Sequence, residues 1–482
     1  MKSKMKIKRK VVEGVYCMSM FFFVTSCAKG FNDNETFSGG VTNTQMESPK
    51  SIAITTLANS DGSESLHLTW PVVMGAGGYK VNVYNVNDPK NPVTVVTDSI
   101  VDGCAMSFPK MEDTNYDITV LTVGNRALNN TDAETPTTLP YKAFAAVATL
   151  HEGDDIAAYV NNTMQDFSQD QEQCINLEAG KTYNLNAIAN FDLNTVTFRG
   201  NQDNPPTIIV GADGGLVTGG GLKIKYINFD CSAMESIGVL TLGDGAALGA
   251  PATELGGACL IDHSIVFQGC SFKNIKNSLI FAGTGSKGWA VKDFRIMDCI
   301  VQIDNNSNSN PIINFEKSGG RVIKDLTILN STFYNLKTNN KAFFIRMSNS
   351  SNAKPEKSWN DKSGSVTMTN NTFYQTFTNK AFANNMASTN TITTTLKNNI
   401  FYNTSLVQKL VGNTTKAISD NYLFSTGGEN IAALDNTDKT YGIEEDPQFT
   451  GPTDVAPDAV DFSPAQSTQA YANKAGDPRW IK

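Results

Sequence analysis

The chain of 482 residues has no Cys-x-x-Cys pair and only three histidines, His67, His151 and His263. That scarcity leaves nothing from which to build a zinc cluster or a convincing histidine-based triad. No apolar run is long enough to cross a bilayer as a permanent helix. There is no basic excess either: 39 Lys and Arg stand against 47 Asp and Glu. Nucleic acid is therefore excluded as a partner, since phosphate binding needs a basic footprint. Hydrophobic residues at 40% and charged residues at 18% are ordinary for a folded protein and rule out wholesale disorder.

The N-terminus reads as a targeting segment. Lys2, Lys4, Lys6, Lys8, Arg9 and Lys10 precede an apolar stretch from Gly14 to Val24, the order of a secretory signal. Thr25-Ser26-Cys27 follows. A small residue before a cysteine at this point resembles a bacterial lipobox, which implies a signal peptide over 1–26 and a lipid on Cys27. Lipid chains anchor a protein without making it span. Removing 1–26 leaves 33 basic and 46 acidic residues, a net charge of −13. Residues 27–48 are polar and aperiodic, and read as a flexible tether.

From 49 to 145 the chain alternates like half-buried antiparallel strands: Leu66, Leu68 and Trp70, then Tyr79, Val81 and Val83, then Tyr116, Ile118 and Val120. The runs Leu68-Thr69-Trp70, Gly78-Tyr79-Lys80-Val81 and Tyr116-Asp117-Ile118-Thr119-Val120 resemble a fibronectin type III domain. The resemblance implies a sandwich in which Trp70 is core and Tyr116 a corner residue, serving as a spacer or docking module.

From 150 to 440 the dominant feature is an internal repeat. Phe198, Phe229, Phe272, Val301, Phe333, Phe373, Phe401 and Leu423 fall in one column, and Leu193, Ile224, Phe267, Ile296, Ile328, Met368, Leu396 and Ile418 stand five residues before them. Three residues before the last six come Gly269, Asp298, Asn330, Asn370, Asn398 and Asp420, residue types that tolerate a left-handed backbone. The pattern predicts a strand, a sharp bend, and a second strand that points an aromatic inward. Stacked coils place equivalent residues about 4.8 Å apart. A third strand per coil is expected within 237–243, 278–282, 311–316, 341–347, 380–386 and 406–411. Asp154 and Asp155 can cap a helix that closes the first coil.

This repeat resembles the right-handed parallel β-helix of the pectate-lyase-like superfamily. The fold class is thus all-β, a sandwich followed by a pectin-lyase-like solenoid, with a cap at 441–482 in which Trp480 is a packing plug. Surface lipoproteins of this organisation occur in the carbohydrate-utilisation systems of Bacteroides-type bacteria. The resemblance implies an outer-membrane, cell-surface location, polysaccharide as partner, and a glycan transporter complex as a further partner.

In that superfamily, sugar polymers lie across the outward side chains of the third strand. Aligning those strands by their inward residues gives an outward column of Ala282, Glu316, Arg346 and Asn385, with Asn314 and Phe344 beside it and Lys409 a continuation. A slip of one residue would turn all of these inward. Arg346 is the candidate base for β-elimination on a uronic-acid polymer, but Glu316 one coil away would keep its proton on. A Glu316–Arg346 ion pair, a sugar or carboxylate contact, and catalysis are the three readings, in that order. The lyase signature Arg-x-Pro-x-x-Arg and the polygalacturonase Gly-His-Gly are both absent. Lys292-Asp293 and Lys324-Asp325 recur just before strands and read as solvated edge residues. Trp359, in a loop with Lys354, Lys357 and Lys362, offers a ring for stacking on a sugar or for packing under its own loop. Asp304 opens an Asn- and Ser-rich segment with oxygen ligands suited to Ca²⁺, or a solvated turn. No other cofactor is implied. The expected function is capture or processing of polysaccharide, with a divergent lyase or a structural component of a surface assembly as alternatives.

Overall fold

The computed structural model describes residues 40–58, 64–167, 171–253, 257–283, 288–304, 310–316, 322–337, 343–348, 359, 361–376, 382–386, 389–404, 407–426 and 442–481. The expected signal peptide over 1–26 and Cys27 lie outside them. Two compact units divide after Ala143.

The first unit consists of β1 (Ala53–Ala58), β2 (Glu64–Thr69), β3 (Ala76–Asn85), β4 (Val93–Val101), β5 (Ala105–Pro109), β6 (Tyr116–Gly124) and β7 (Thr137–Tyr141). They form two antiparallel sheets, β1-β2-β5 and β4-β3-β6-β7. The alternation in sequence becomes alternation in burial: along β6, every second residue from Tyr116 is buried. The inward set includes Leu66, Leu68, Trp70, Tyr79, Val81, Val83, Phe108, Ile118 and Val120. Trp70 meets Tyr79 edge-on at 5.4 Å. Burial pushes the Tyr79 hydroxyl up to about 12, against the opposing hydrogen bond from Val73 N–H. Residues 40–48, expected as tether, are tied down. Met46 is buried, Met46 N–H donates to Thr131 O and Thr131 N–H to Thr44 O, and Asn130 Oδ1 accepts from Thr44 N–H. The aperiodic polar composition hid these contacts because backbone groups and one buried methionine make them.

The second unit winds through three parallel sheets. Sheet 1 has eleven described strands, from Val147–Leu150 to Thr415–Ser419; sheet 2 has ten, from Thr182–Leu185 to Ile443–Glu444; sheet 3 has seven, from Ile188–Asn190 to Ala383–Asn384. From Gln173–Leu177 to Ala383–Asn384, successive turns of chain add one strand to each sheet, which makes the unit a parallel β-helix. Asp155 caps the helix Ile156–Asn162, its carboxylate accepting from Ala158 N–H at 2.9 Å. Ile156, Ala157 and Val160 of that helix are buried against the first coils.

The repeat columns appear as strand registers. In sheet 2, Phe229, Phe272, Val301, Phe333, Phe373, Phe401 and Leu423 are successive partners. In sheet 1, Ile224, Phe267, Ile296, Ile328, Met368, Leu396 and Ile418 are likewise. The rings stack: Phe229 on Phe272 at 5.0 Å and 7°, and Phe373 on Phe401 at 5.0 Å and 5°. The predicted bend residues Gly269, Asp298, Asn330, Asn370, Asn398 and Asp420 all have positive φ.

Two assignments differ. Phe198 belongs to sheet 1, paired with Ile224, and the sheet 2 partner of Phe229 is Ile208. Both positions are apolar and the early coils are short, so spacing alone did not separate them. The stretch 406–411 contains a 3₁₀ turn, Val407–Leu410, in place of a third strand.

The C-terminal segment runs along the outer face of sheet 2. Phe449, Val460, Phe462 and Trp480 pack on Ile300, Tyr334 and Tyr374. Trp480 Nε1 donates to Thr332 Oγ1 at 2.7 Å. An aromatic outer column would otherwise face water, and this strap buries it.

Candidate functional site

Sheet 3 sets the candidate site. Its inward column is Ala189, Leu216, Leu240, Ile280, Ile313, Ile345 and Ala383, all buried. Their neighbours, in register across the coils, are Asn190, Val217, Thr241, Phe281, Asn314, Arg346 and Asn384. Arg346 is thus the partner of Asn314 and Asn384, two residues away from the alignment that put it beside Glu316.

The long side chains still meet. Arg346 Nη1 lies 2.9 Å from Glu316 Oε1, and the two side chains keep 29% and 35% of their surface. The guanidinium sits 5.2 Å from the Phe343 ring centroid, a cation–π contact. Its Nε is buried and makes no hydrogen bond to a described residue. Asn384 and Asn385 are half-buried on the next coil. Asn385 has φ of 57° and donates through Nδ2 to Met347 O at 3.2 Å.

Three expected contact residues do not face solvent. Phe344 is fully buried, stacked on Phe382 at 4.7 Å and edge-on to Phe333 at 4.9 Å. Phe344 lies just ahead of the two-residue strand Ile345–Arg346, and both it and Ile345 turn inward, so alternation fails there; Phe343 is half-buried, its ring against the Arg346 guanidinium. Asn314 is buried, with Nδ2 donating to Ser278 Oγ and Oδ1 accepting from Glu316 N–H. It braces the backbone that presents Glu316. Ala282 is buried as well.

Trp359 does not present a free ring. It packs against Ala258, Ala290 and Val322, and Lys324 Nζ stands 5.3 Å from the ring centroid. Lys354 and Lys357 lie outside the described residues. Trp289 is buried, its Nε1 donating to Gly243 O. Lys409 is exposed on the 3₁₀ turn. Asp304 is 3.3 Å from the Lys337 ammonium, which meets the negative charge a Ca²⁺ ion would need. The rest of its Asn- and Ser-rich segment up to 309 lies outside the described residues. No group of three or more potential metal-ligating His, Cys, Asp or Glu side chains occurs among the described residues.

Of Lys292-Asp293 and Lys324-Asp325, expected as solvated edges just before strands, only Lys292 is exposed. They lie inside the sheet 1 strands Trp289–Met297 and Val322–Leu329, with Asp293 opposite Asp325. Arg295 and Ser264 Oγ hold Asp293. Burial raises the Asp325 carboxyl against the lowering hydrogen bond from Ser365 Oγ, and the Asp293 charge raises it further. Asn384 and Phe343 are the outward residues that sequence reasoning missed. Matching Ile313 with Ile345 and Ala383 would have found Asn384, but alternation from Ile345 would still have turned Phe343 inward.

The fold and site define a class: an all-β protein with a parallel β-helix whose third sheet presents a short charged and amide row. A family described as a domain of unknown function matches residues 1–187, and a second, described as domain of unknown function DUF4957, matches residues 181–336. No curated protein matches. Among solved structures, pectate lyase PelI from Erwinia chrysanthemi is similar at 8% identity and a TM-score of 0.14, over 61% of this chain and 85% of that one. PelI in complex with tetragalacturonic acid gives 13% identity and a TM-score of 0.13, over 63% and 87%.

Proposed function

We propose that this protein is a lipid-anchored surface protein that binds polysaccharide, of a uronic-acid or other pectic type, across sheet 3. The observation that carries the reading is the Glu316–Arg346 pair, half-exposed beside Asn384 and Asn385 on consecutive coils. A parallel sheet repeats its outward positions about every 4.8 Å, so the row is linear, as a polymer contact must be. Arg346 can meet a carboxylate by exchanging its partner, and the amides can meet hydroxyls. The ion pair and the ring under Arg346 favour a binding cation over a base. The N-terminal unit fits a fibronectin type III-like spacer. Its sheets divide three and four, and Tyr116 OH accepts from Met111 N–H at 2.9 Å, the corner contact of such sandwiches. Cys27 would carry the anchor, on the outer membrane and beside a glycan transporter.

Affinity gel electrophoresis against a polysaccharide panel tests the proposal. At least one uronic-acid glycan should retard the protein, and Arg346→Ala should weaken retardation by about tenfold, the equivalent of about 1.4 kcal/mol. No retardation by any glycan, or unchanged retardation in Arg346→Ala, would overturn it.

A further inference from the structure

The bend between sheets 1 and 2 carries a ladder of side chains, one per coil. Asn421 Oδ1 accepts from Asn399 N–H, Asn399 Oδ1 from Asn371 N–H, and Asn371 Oδ1 from Ser331 N–H, at 3.0–3.1 Å. Ser331 Oγ then accepts from Cys299 N–H at 3.1 Å. The next member is Cys270. Gln268 pairs with Met297 and Ser271 with Ile300, so Cys270 and Cys299 stand opposite each other on adjacent coils.

Here the oxygen ladder stops. Each thiol leans back on the carbonyl two residues before it: Cys299 Sγ on Met297 O at 3.2 Å, Cys270 Sγ on Gln268 O at 3.4 Å. Ser331 Oγ does the same with Leu329 O. The three side chains share one orientation, and the two sulfurs are neighbours. Both cysteines are free and almost fully buried. Adjacent parallel strands hold their Cα atoms about 4.8 Å apart, inside the range of about 4.4–6.8 Å that a disulfide spans.

We infer that Cys270 and Cys299 are a disulfide site, which would put a covalent rung where the ladder changes from oxygen to sulfur. The reaction is thiol–disulfide exchange with a disulfide donor, such as an oxidised exchange protein or oxidised glutathione. The first cysteine attacks the donor as a thiolate and gives a mixed disulfide. The second displaces the donor thiol, so both electrons and both protons leave with the donor as two thiols. Burial and the neighbouring Cys270 push the Cys299 thiol up, which makes the folded pair slow to react. The bond therefore forms as the coils close.

The test refolds the chain with oxidised glutathione or with dithiothreitol, followed by denaturing alkylation, proteolysis and mass spectrometry. The oxidised sample should lose two alkylatable thiols and yield a Cys270–Cys299 cross-linked fragment. Its thermal midpoint should exceed that of the reduced sample by several degrees. Cys270→Ser and Cys299→Ser should abolish both effects. Serine already occupies this ladder position in the next coil, so these variants should fold. Full alkylation of both cysteines after oxidative refolding, or linkage of either to another cysteine, would overturn the inference.

Discussion

Asn399→Ala should destabilise the solenoid by about 1–3 kcal/mol. Asn399 is buried. Its Nδ2 donates to Met368 O and to Asn421 Oδ1, both at 2.8 Å. Its Oδ1 accepts from Asn371 N–H at 3.0 Å and Asn371 Nδ2 at 2.9 Å. Asn371 Nδ2 keeps Ile328 O, and Asn421 Oδ1 keeps the Asn399 N–H. Alanine thus strands one buried backbone group, the Asn371 N–H, and takes one donor from the Met368 carbonyl, which stays paired in the sheet. The stranded N–H costs about 1–3 kcal/mol without a partner. Urea unfolding followed by far-UV circular dichroism reads the change in the solenoid transition. Thr395→Ala, on the outward side of the same sheet, is the control and should shift by less than about 0.5 kcal/mol. If Asn399→Ala behaves like that control, the ladder is not what holds the bends together.

Phe373→Ala should cost about 3–5 kcal/mol, because Phe373 is fully buried between Phe333 and Phe401 and edge-on to Phe344 and Phe382; Phe373→Leu should cost less, and chemical denaturation distinguishes the two. Asp477 predicts a pH effect in the strap. Burial raises its carboxyl to about 6, against the lowering effect of Arg479. A carboxyl whose folded value lies above the unfolded one (about 3.9) contributes stability below pH about 4 and loses it as pH rises through 6. The difference is up to about 3 kcal/mol, and Asp477→Asn should flatten it in thermal scans between pH 4 and 7.

Much of the coil was legible because stacking imposes the same demand on every turn. Inward apolar residues and left-handed bends recur in the sequence, and Asn330, Asn370 and Asn398 take the backbone angle their type invites. The site was less legible because its strands are two residues long. Ile345–Arg346 and Ala383–Asn384 show no alternation from which to set a register, and taking Phe343 as inward placed Phe344 outside. The strap was legible as a cap but not in its position, since nothing in Trp480 or Phe462 says which outer face will receive it. The sulfur pair was hidden for a different reason: Cys270 and Cys299 follow bend residues, and only the register shows that they face each other.

Electron–electron distances between spin labels on one outward column of sheet 1 test the coil stacking most directly. Ser419→Cys would be paired in turn with Met297→Cys, Gln268→Cys and Asn176→Cys, which lie four, five and eight strands away along one register. The distances should be about 19, 24 and 38 Å, one strand spacing per coil whatever the length of chain between. Distances that follow sequence separation, or that show no order, would contradict it.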